Sequence, residues 1–262
     1  MPQYTREGLL RRLREINAMG YVESTRPGNQ GGVGNTLEDL LGIEENNLPT
    51  RDAGEFEIKS QRMEGGGLTT LLHREPEPRR ARVVPRMLLP LYGWPHEEAG
   101  VKYPKSEMSF RQTINGRTRT GRGFGLELDR RSGRLCVSFD ARAVDAAHRG
   151  WLESVRERAG TGELDPQPYW GLDDLARTLG TKLGNCIYVH AANMRRAGVE
   201  SFHYKSFYVL EGFNFGRFID GVRDGFVYVD FDARSGHNHG TKLRLRHDSI
   251  QRLYDRGITI EQ

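Results

Sequence analysis

Helical and strand patterns follow one another along this chain without regular alternation, and that order limits the fold more than any other feature. Leu9, Leu10, Leu13 and Ile16 recur at helical spacing within residues 5–19, and Gly20 can end that helix. After the glycine-rich "RPGNQGGVGNT", Asn35 or Thr36 can cap a short helix through Leu37, Leu40 and Leu41. A strand, "EFEIKSQR", comes next. Residues 74–100, rich in Pro and Arg, read as an excursion outside the core. "GLELDRRSGRLCVSFD" predicts a hairpin turning at Ser132-Gly133. Helices are expected at 144–158, 172–183 and near 211–223, with strands "CIYVHAA", "FVYVDFDA" and "KLRLR" among them. A short helix from Asp248 and a strand "ITIEQ" close the chain. This mixture points to a mixed α+β (α/β) architecture. A length of 262 residues fits one large domain or two lobes.

Composition narrows the partners. No apolar run approaches about 18 residues, so no membrane span is expected. Arg11, Arg12 and Arg14 interrupt any signal-like segment at the N-terminus. Cys136 and Cys186 make no metal-type pair, and a reduced cytoplasm is the simplest compartment. The sequence pI is about 9.1, and 33 of the 39 basic residues are arginine. Coding bias can produce such a count, but it also supplies planar forks suited to phosphates and guanine edges. A net charge of +4 adds little by itself.

Against that basic background, seven acidic residues crowd into Gly34–Lys59, which ends on the first lysine of the chain. In "EFEIKS" side chains alternate between faces, so Phe56 and Ile58 point into a core while Glu55, Glu57 and Lys59 point the other way. Asp52 lies in a turn just before the strand, and Glu38 sits at the edge of the preceding helix's apolar stripe. Oxygen ligands of this kind suit Mg²⁺, which often binds through one or two carboxylates plus a substrate phosphate. A cation on Asp52 and Glu57 would screen a phosphodiester's charge and acidify a water, and Lys59 would orient that water. A solvated acidic loop before an edge strand is the alternative.

The stretch "GNQGGVGNTLEDLLGIEENNLPTRDAGEFEIKSQR" resembles the active-site region of the MvaI/BcnI restriction endonucleases, relatives of the MutH nickases in the PD-(D/E)xK nuclease superfamily. The shared pattern is a GN-x-G-x-G-x-T loop, a Glu-Asp-Leu-Leu helix, an E-(E/D)-(N/D)-N-L turn and Asp-x₄-Glu-x-Lys. Arg51 replaces the usual proline before the aspartate, with Pro49 nearby. Shorter blocks follow in family order: "RQTING", "GTKLGNCIYVHAA", "YKS" and "HNHGTKLRL". The resemblance implies a PD-(D/E)xK core with a second, DNA-recognition lobe flanking a cleft. Residues 1–160 would be mainly catalytic, with the active site in 20–75, and residues 161–262 mainly recognition. It implies Asp52 and Glu57 as metal ligands, Lys59 as catalytic lysine and Glu38 as a completing acidic residue. It also implies base contacts from His237, His239 and Arg244, with Arg234 the candidate just before them.

Other polar features carry less. "GHNHG" reads as a His-x-His metal pair, an ordinary polar hairpin or, by the resemblance, a base-reading element. Arg117, Arg119 and Arg122 lie in a glycine-containing loop that suits phosphate clamping or simple solvation. Tyr204 and Lys205 would touch DNA or belong to a packed strand. The resulting expectation is a monomeric, Mg²⁺-dependent type II restriction endonuclease of double-stranded DNA. By resemblance it would cut a short GC-rich site of the CC-N-GG kind to 5′-phosphate ends, with a DNA methyltransferase as genetic partner. Mn²⁺ would substitute, and Ca²⁺ would support binding without cleavage. A MutH-like mismatch-repair nickase and a catalytically inactive DNA-binding protein are the alternatives.

Overall fold

The computed structural model describes residues 4–26, 31–43, 53–65 and 67–260. Asp52 lies outside the described residues. The chain forms two compact units. One holds Met1–Thr69, Arg177–Arg217 and Arg246–Gln262, and the other holds Thr70–Ala176 and Phe218–Leu245. A single boundary at residue 160 does not describe these units, because strand pairing joins early and late sequence. Glu57–Arg62 pairs in parallel with Asn185–Arg196, from Glu57↔Cys186 to Arg62↔Ala191.

The first unit is built on a five-stranded sheet in the order Val22–Glu23, Val199–Phe213, Asn185–Arg196, Glu57–Arg62, with Tyr254–Ile260 also paired along Val199–Phe213. The helices Arg6–Ala18 and Gly32–Leu41 contribute to a core with one face of this sheet. Leu9, Leu13, Ile16 and Leu37 are fully buried there with Ile58, Ile187, Val189 and Phe207. Each such side chain contributes about 1.5–3 kcal/mol of burial. Thr5 caps the first helix by accepting from Gly8 N at 3.2 Å. The second helix begins at Gly32, earlier than the expected cap at Asn35 or Thr36. Tertiary packing decides this start. A Cβ at Gly32 would stand 3.1 Å from Ser24 Oγ and 3.6 Å from the Phe202 ring, so glycine lets the helix approach the sheet.

The second unit carries a five-stranded sheet in the order Leu68–His73, His237–Arg246, Val227–Arg234, Met108–Ile114, Trp94–Pro95. A three-stranded sheet joins Arg122–Asp129, Arg134–Val144 and Tyr169–Gly171, and the expected hairpin turn at Gly133 is present. Phe110, Phe124, Phe139 and Tyr92 stack edge-on or tilted with ring centroids 5.1–5.9 Å apart. Residues 74–100 are not an excursion outside the core. Val83, Val84, Met87, Leu88, Leu89 and Tyr92 are all buried, because apolar residues at helical spacing sit among the prolines and arginines. Among the described residues, no helix is long and apolar enough to cross a membrane.

Candidate active site

The strand Glu57–Arg62 stands at the end of its sheet order and directs alternate side chains to opposite faces. Ile58 enters the helix-covered core. The parallel register puts Glu57, Lys59 and Gln61 on the other face, beside Cys186, Tyr188 and His190. Just upstream, Ala53 and Phe56 bond to each other through both backbone groups, at 2.9 and 3.2 Å. That tight turn leads into the strand, and exposed Glu55 falls in the turn rather than on the strand face.

Glu57 is fully buried, and burying a carboxylate is costly unless cations compensate it. Two do. Lys59 Nζ donates to Glu57 Oε1, and Lys182 Nζ lies 3.0 Å from the same oxygen. The two lysine side chains are themselves only 17 % and 12 % exposed. Lys182 comes from the last turn of the helix Leu172–Leu183. The sequence predicts a helix at 172–183 but gives this lysine no role. Its only sequence signal is a polar residue beside the Leu175/Leu179/Leu183 stripe, inside the block "GTKLGNCIYVHAA". Glu38 is half-buried next to core residue Leu37. Among the described residues no three His, Cys, Asp or Glu side chains gather as a metal group. Glu57 supplies a hard oxygen donor of the kind Mg²⁺ takes, and Asp52 would be its partner by sequence position.

The same face holds two further titratable groups. Burial pushes the Tyr188 phenol up to about 12, and its hydroxyl donates to the His247 carbonyl at 3.2 Å. It therefore stays protonated at neutral pH and is a donor rather than a base. Burial also holds the His190 imidazole below its ordinary value, helped by His247.

The residues expected to read DNA divide differently. His237 and His239 are exposed at the start of the strand His237–Arg246, with ring centroids 4.1 Å apart in an edge-on arrangement. Arg234, opposite His237 in the hairpin, pairs with buried Glu107 at 2.9 Å and lies over the Tyr103 ring at 4.6 Å. Arg244 pairs with Asp230 at 2.9 Å. Arg117 is exposed. Arg119 and Arg122 are not free loop cations. Arg119 bonds Glu127, Ser138 Oγ at 3.0 Å and the Gly123 carbonyl at 3.0 Å. Arg122 stacks on Trp94 at 3.9 Å and faces Trp151 at 5.6 Å, and burial lowers its pKa. Tyr204 is a core residue rather than a DNA contact. It is fully buried, and its hydroxyl donates to the Val33 carbonyl at 2.9 Å. Lys205 is half-buried at the bulge between Tyr204 and Ser206.

Comparison with known proteins places this arrangement among the restriction endonucleases. The family model of the MvaI/BcnI restriction endonuclease family matches residues 10–254, and the chain belongs to that family. It is accordingly a type II site-specific nuclease. Its fold is similar to that of the restriction endonuclease MvaI in complex with cognate DNA, at 21 % identity and a TM-score of 0.78 over 99 % of this chain and 100 % of that one. MvaI in the absence of DNA matches at 22 % identity and a TM-score of 0.50, over 96 % of this chain and 100 % of that one. No curated protein matches the sequence.

Proposed function

We propose that this nuclease hydrolyses both strands of double-stranded DNA at a short GC-rich site of the CC-N-GG kind, acting as a Mg²⁺-dependent monomer. Its products would be 5′-phosphate and 3′-hydroxyl ends, and a cognate DNA methyltransferase would protect the host's own sites. The observation that carries this reading is Glu57, buried beneath two ammonium groups on a strand at the end of its sheet order. DNA as substrate follows from the family, and from MvaI, whose structure holds cognate DNA.

Asp52 and Glu57 would hold the cation, which supplies charge neutralisation at the phosphate and a more acidic bound water. Lys59 would donate to the attacking water and hold it in line with the scissile bond. Lys182, on the same carboxylate oxygen, would fix the direction in which Glu57 points. Hydrolysis joins the water oxygen to phosphorus and breaks the bond to the 3′ oxygen, which leaves with a proton. His237 and His239 would donate to base edges, where guanine offers N7 and O6 acceptors. Arg117 would contact phosphate.

The test is digestion of unmethylated plasmid and genomic DNA with Mg²⁺, Mn²⁺, Ca²⁺ or EDTA, followed by sequencing of the ends. Discrete double-strand breaks with Mg²⁺ or Mn²⁺ only, at one short GC-rich sequence, are expected. Cleavage in EDTA, or only single-strand nicks at limit digestion, would overturn the reading.

A further inference from the structure

The exposed histidine pair stands on the first residues of the strand His237–Arg246, beside a register shift in its pairing, and one carboxylate braces that irregular segment. Glu75 Oε1 accepts from Thr241 N at 3.0 Å and from Asn238 Nδ2 at 3.3 Å, and Glu75 Oε2 accepts from Thr241 Oγ1 at 3.1 Å. The neighbouring Arg74 N donates to the Thr241 carbonyl at 2.9 Å, so residues 74–75 are bonded to the segment by backbone as well. Asn238 Oδ1 in turn accepts from Gly240 N at 3.0 Å. Gly240 has φ +83, a left-handed conformation that favours glycine. Thr241 is 1 % exposed, so its hydroxyl and amide need these partners. Glu75 was outside every motif of the sequence.

We propose that Glu75 is a positioning residue for sequence recognition, acting through His237 and His239. The inference rests on the reading that these histidines contact bases. Its logic is directional. Asn238 is pulled toward Glu75, and the residues on either side of it both remain exposed, with their rings 4.1 Å apart. Without the carboxylate, Asn238 loses its outer partner and Thr241 loses two. The irregular strand segment then has alternatives to the conformation that presents both rings together. A base contact is worth its energy only when the donor is already aimed, so a loosened segment weakens specific binding and leaves phosphate binding elsewhere intact.

Glu75→Gln supplies the control. Its amide oxygen can take the place of Oε1 and accept from both Thr241 N and Asn238 Nδ2. Its amide nitrogen can donate to Thr241 Oγ1, since a hydroxyl also accepts. The test compares wild type, Glu75→Ala, Glu75→Gln, Thr241→Val, His237→Ala, His239→Ala and the Glu75→Ala/His239→Ala double variant. Each is titrated in Ca²⁺ with a duplex carrying the mapped cleavage site and with duplexes altered at one base pair. Melting temperature and the salt slope on unrelated DNA are measured alongside. Glu75→Ala is expected to cut the ratio of specific to altered-site affinity tenfold or more, with an unchanged salt slope. Glu75→Gln should restore most of that ratio. In the double variant, His239→Ala should cost far less than it does alone. A wild-type ratio in Glu75→Ala overturns the proposal, and so do fully additive effects. If Glu75→Ala does not fold, Thr241→Val decides, and an undiminished ratio there overturns it. If His239→Ala and His237→Ala alone leave the ratio unchanged, the histidine reading fails first and the proposal with it.

Discussion

At the scale of single residues, the unusual object is a carboxylate with two lysines and almost no water. Lys59 and Lys182 both meet Glu57 Oε1, one from the same strand and the other from a helix end. Lys59 shares a strand face with Glu57, as its proposed role of holding a nucleophile requires. Lys59→Arg keeps the charge and replaces a compact ammonium with a wide planar fork. Single-turnover cleavage should fall by two orders of magnitude or more, as misplaced nucleophiles do, while binding in Ca²⁺ holds. Near wild-type cutting would reduce Lys59 to a general positive charge. Lys182 approaches the same carboxylate from the last turn of the helix Leu172–Leu183. Lys182→Met should slow the chemical step about 10- to 100-fold and raise the Mg²⁺ concentration needed for half-maximal rate. An unchanged Mg²⁺ dependence would show that Lys182 does not orient Glu57. The Asp/Glu/Lys pattern made Glu57 and Lys59 legible in sequence. Lys182 was not legible, because more than a hundred residues separate it from Glu57 and only the parallel pairing of Glu57 with Cys186 brings its helix end there.

Elements show why a basic loop need not be a DNA clamp. Arg119 sits in "NGRTRTGRG" and looks free in sequence, but folding places acidic partners around it. Its guanidinium reaches Glu127 and Ser138, and Ser138 Oγ lies 2.6 Å from Glu163 Oε2. Glu163 Oε1 also accepts the backbone amides of Phe139 and Leu164, at 2.7 and 2.8 Å. This network ties the loop to the three-stranded sheet. Arg119→Ala should therefore cost about 1–3 kcal/mol in urea unfolding, the usual cost of leaving a buried hydrogen-bonding partner unsatisfied. Its effect on DNA affinity should be no greater than its effect on stability. A fully stable variant with weakened binding to all sequences would restore the phosphate-clamp role. Patterns of burial explain what was legible at this scale. The helices 5–19 and 172–183 and the hairpin at Gly133 announced themselves by period and turn chemistry. The start of Gly32–Leu41 and the core role of 83–92 did not, since close approach at Gly32 and burial beneath prolines depend on distant partners.

For the molecule as a whole, the two units divide the residues of the proposed catalytic and recognition roles between them. Glu38, Glu57, Lys59 and Lys182 belong to the first, while Glu75, Arg117, Arg234, His237, His239 and Arg244 belong to the second. Both units share a further property that bears on DNA affinity: many of their arginines already have anions. Arg62 pairs with Glu200, Arg111 with Asp232, Arg156 with Glu153, Arg234 with Glu107 and Arg244 with Asp230, all at 2.9–3.1 Å. The count of 33 arginines thus overstates the charge available to phosphates, and the net charge of +4 is nearer the effective reserve. Each phosphate neutralised contributes about −0.9 to the slope of log affinity against log salt. Non-specific binding in Ca²⁺ should then show a slope between about −3 and −6, corresponding to roughly three to seven phosphates. Arg117→Ala should make it shallower by about one, because that side chain is exposed, and Arg119→Ala should leave it unchanged. A slope of about −9 or steeper would mean that the internal pairs open onto DNA, so that the acidic partners act as gates for the arginines rather than as their permanent counter-ions.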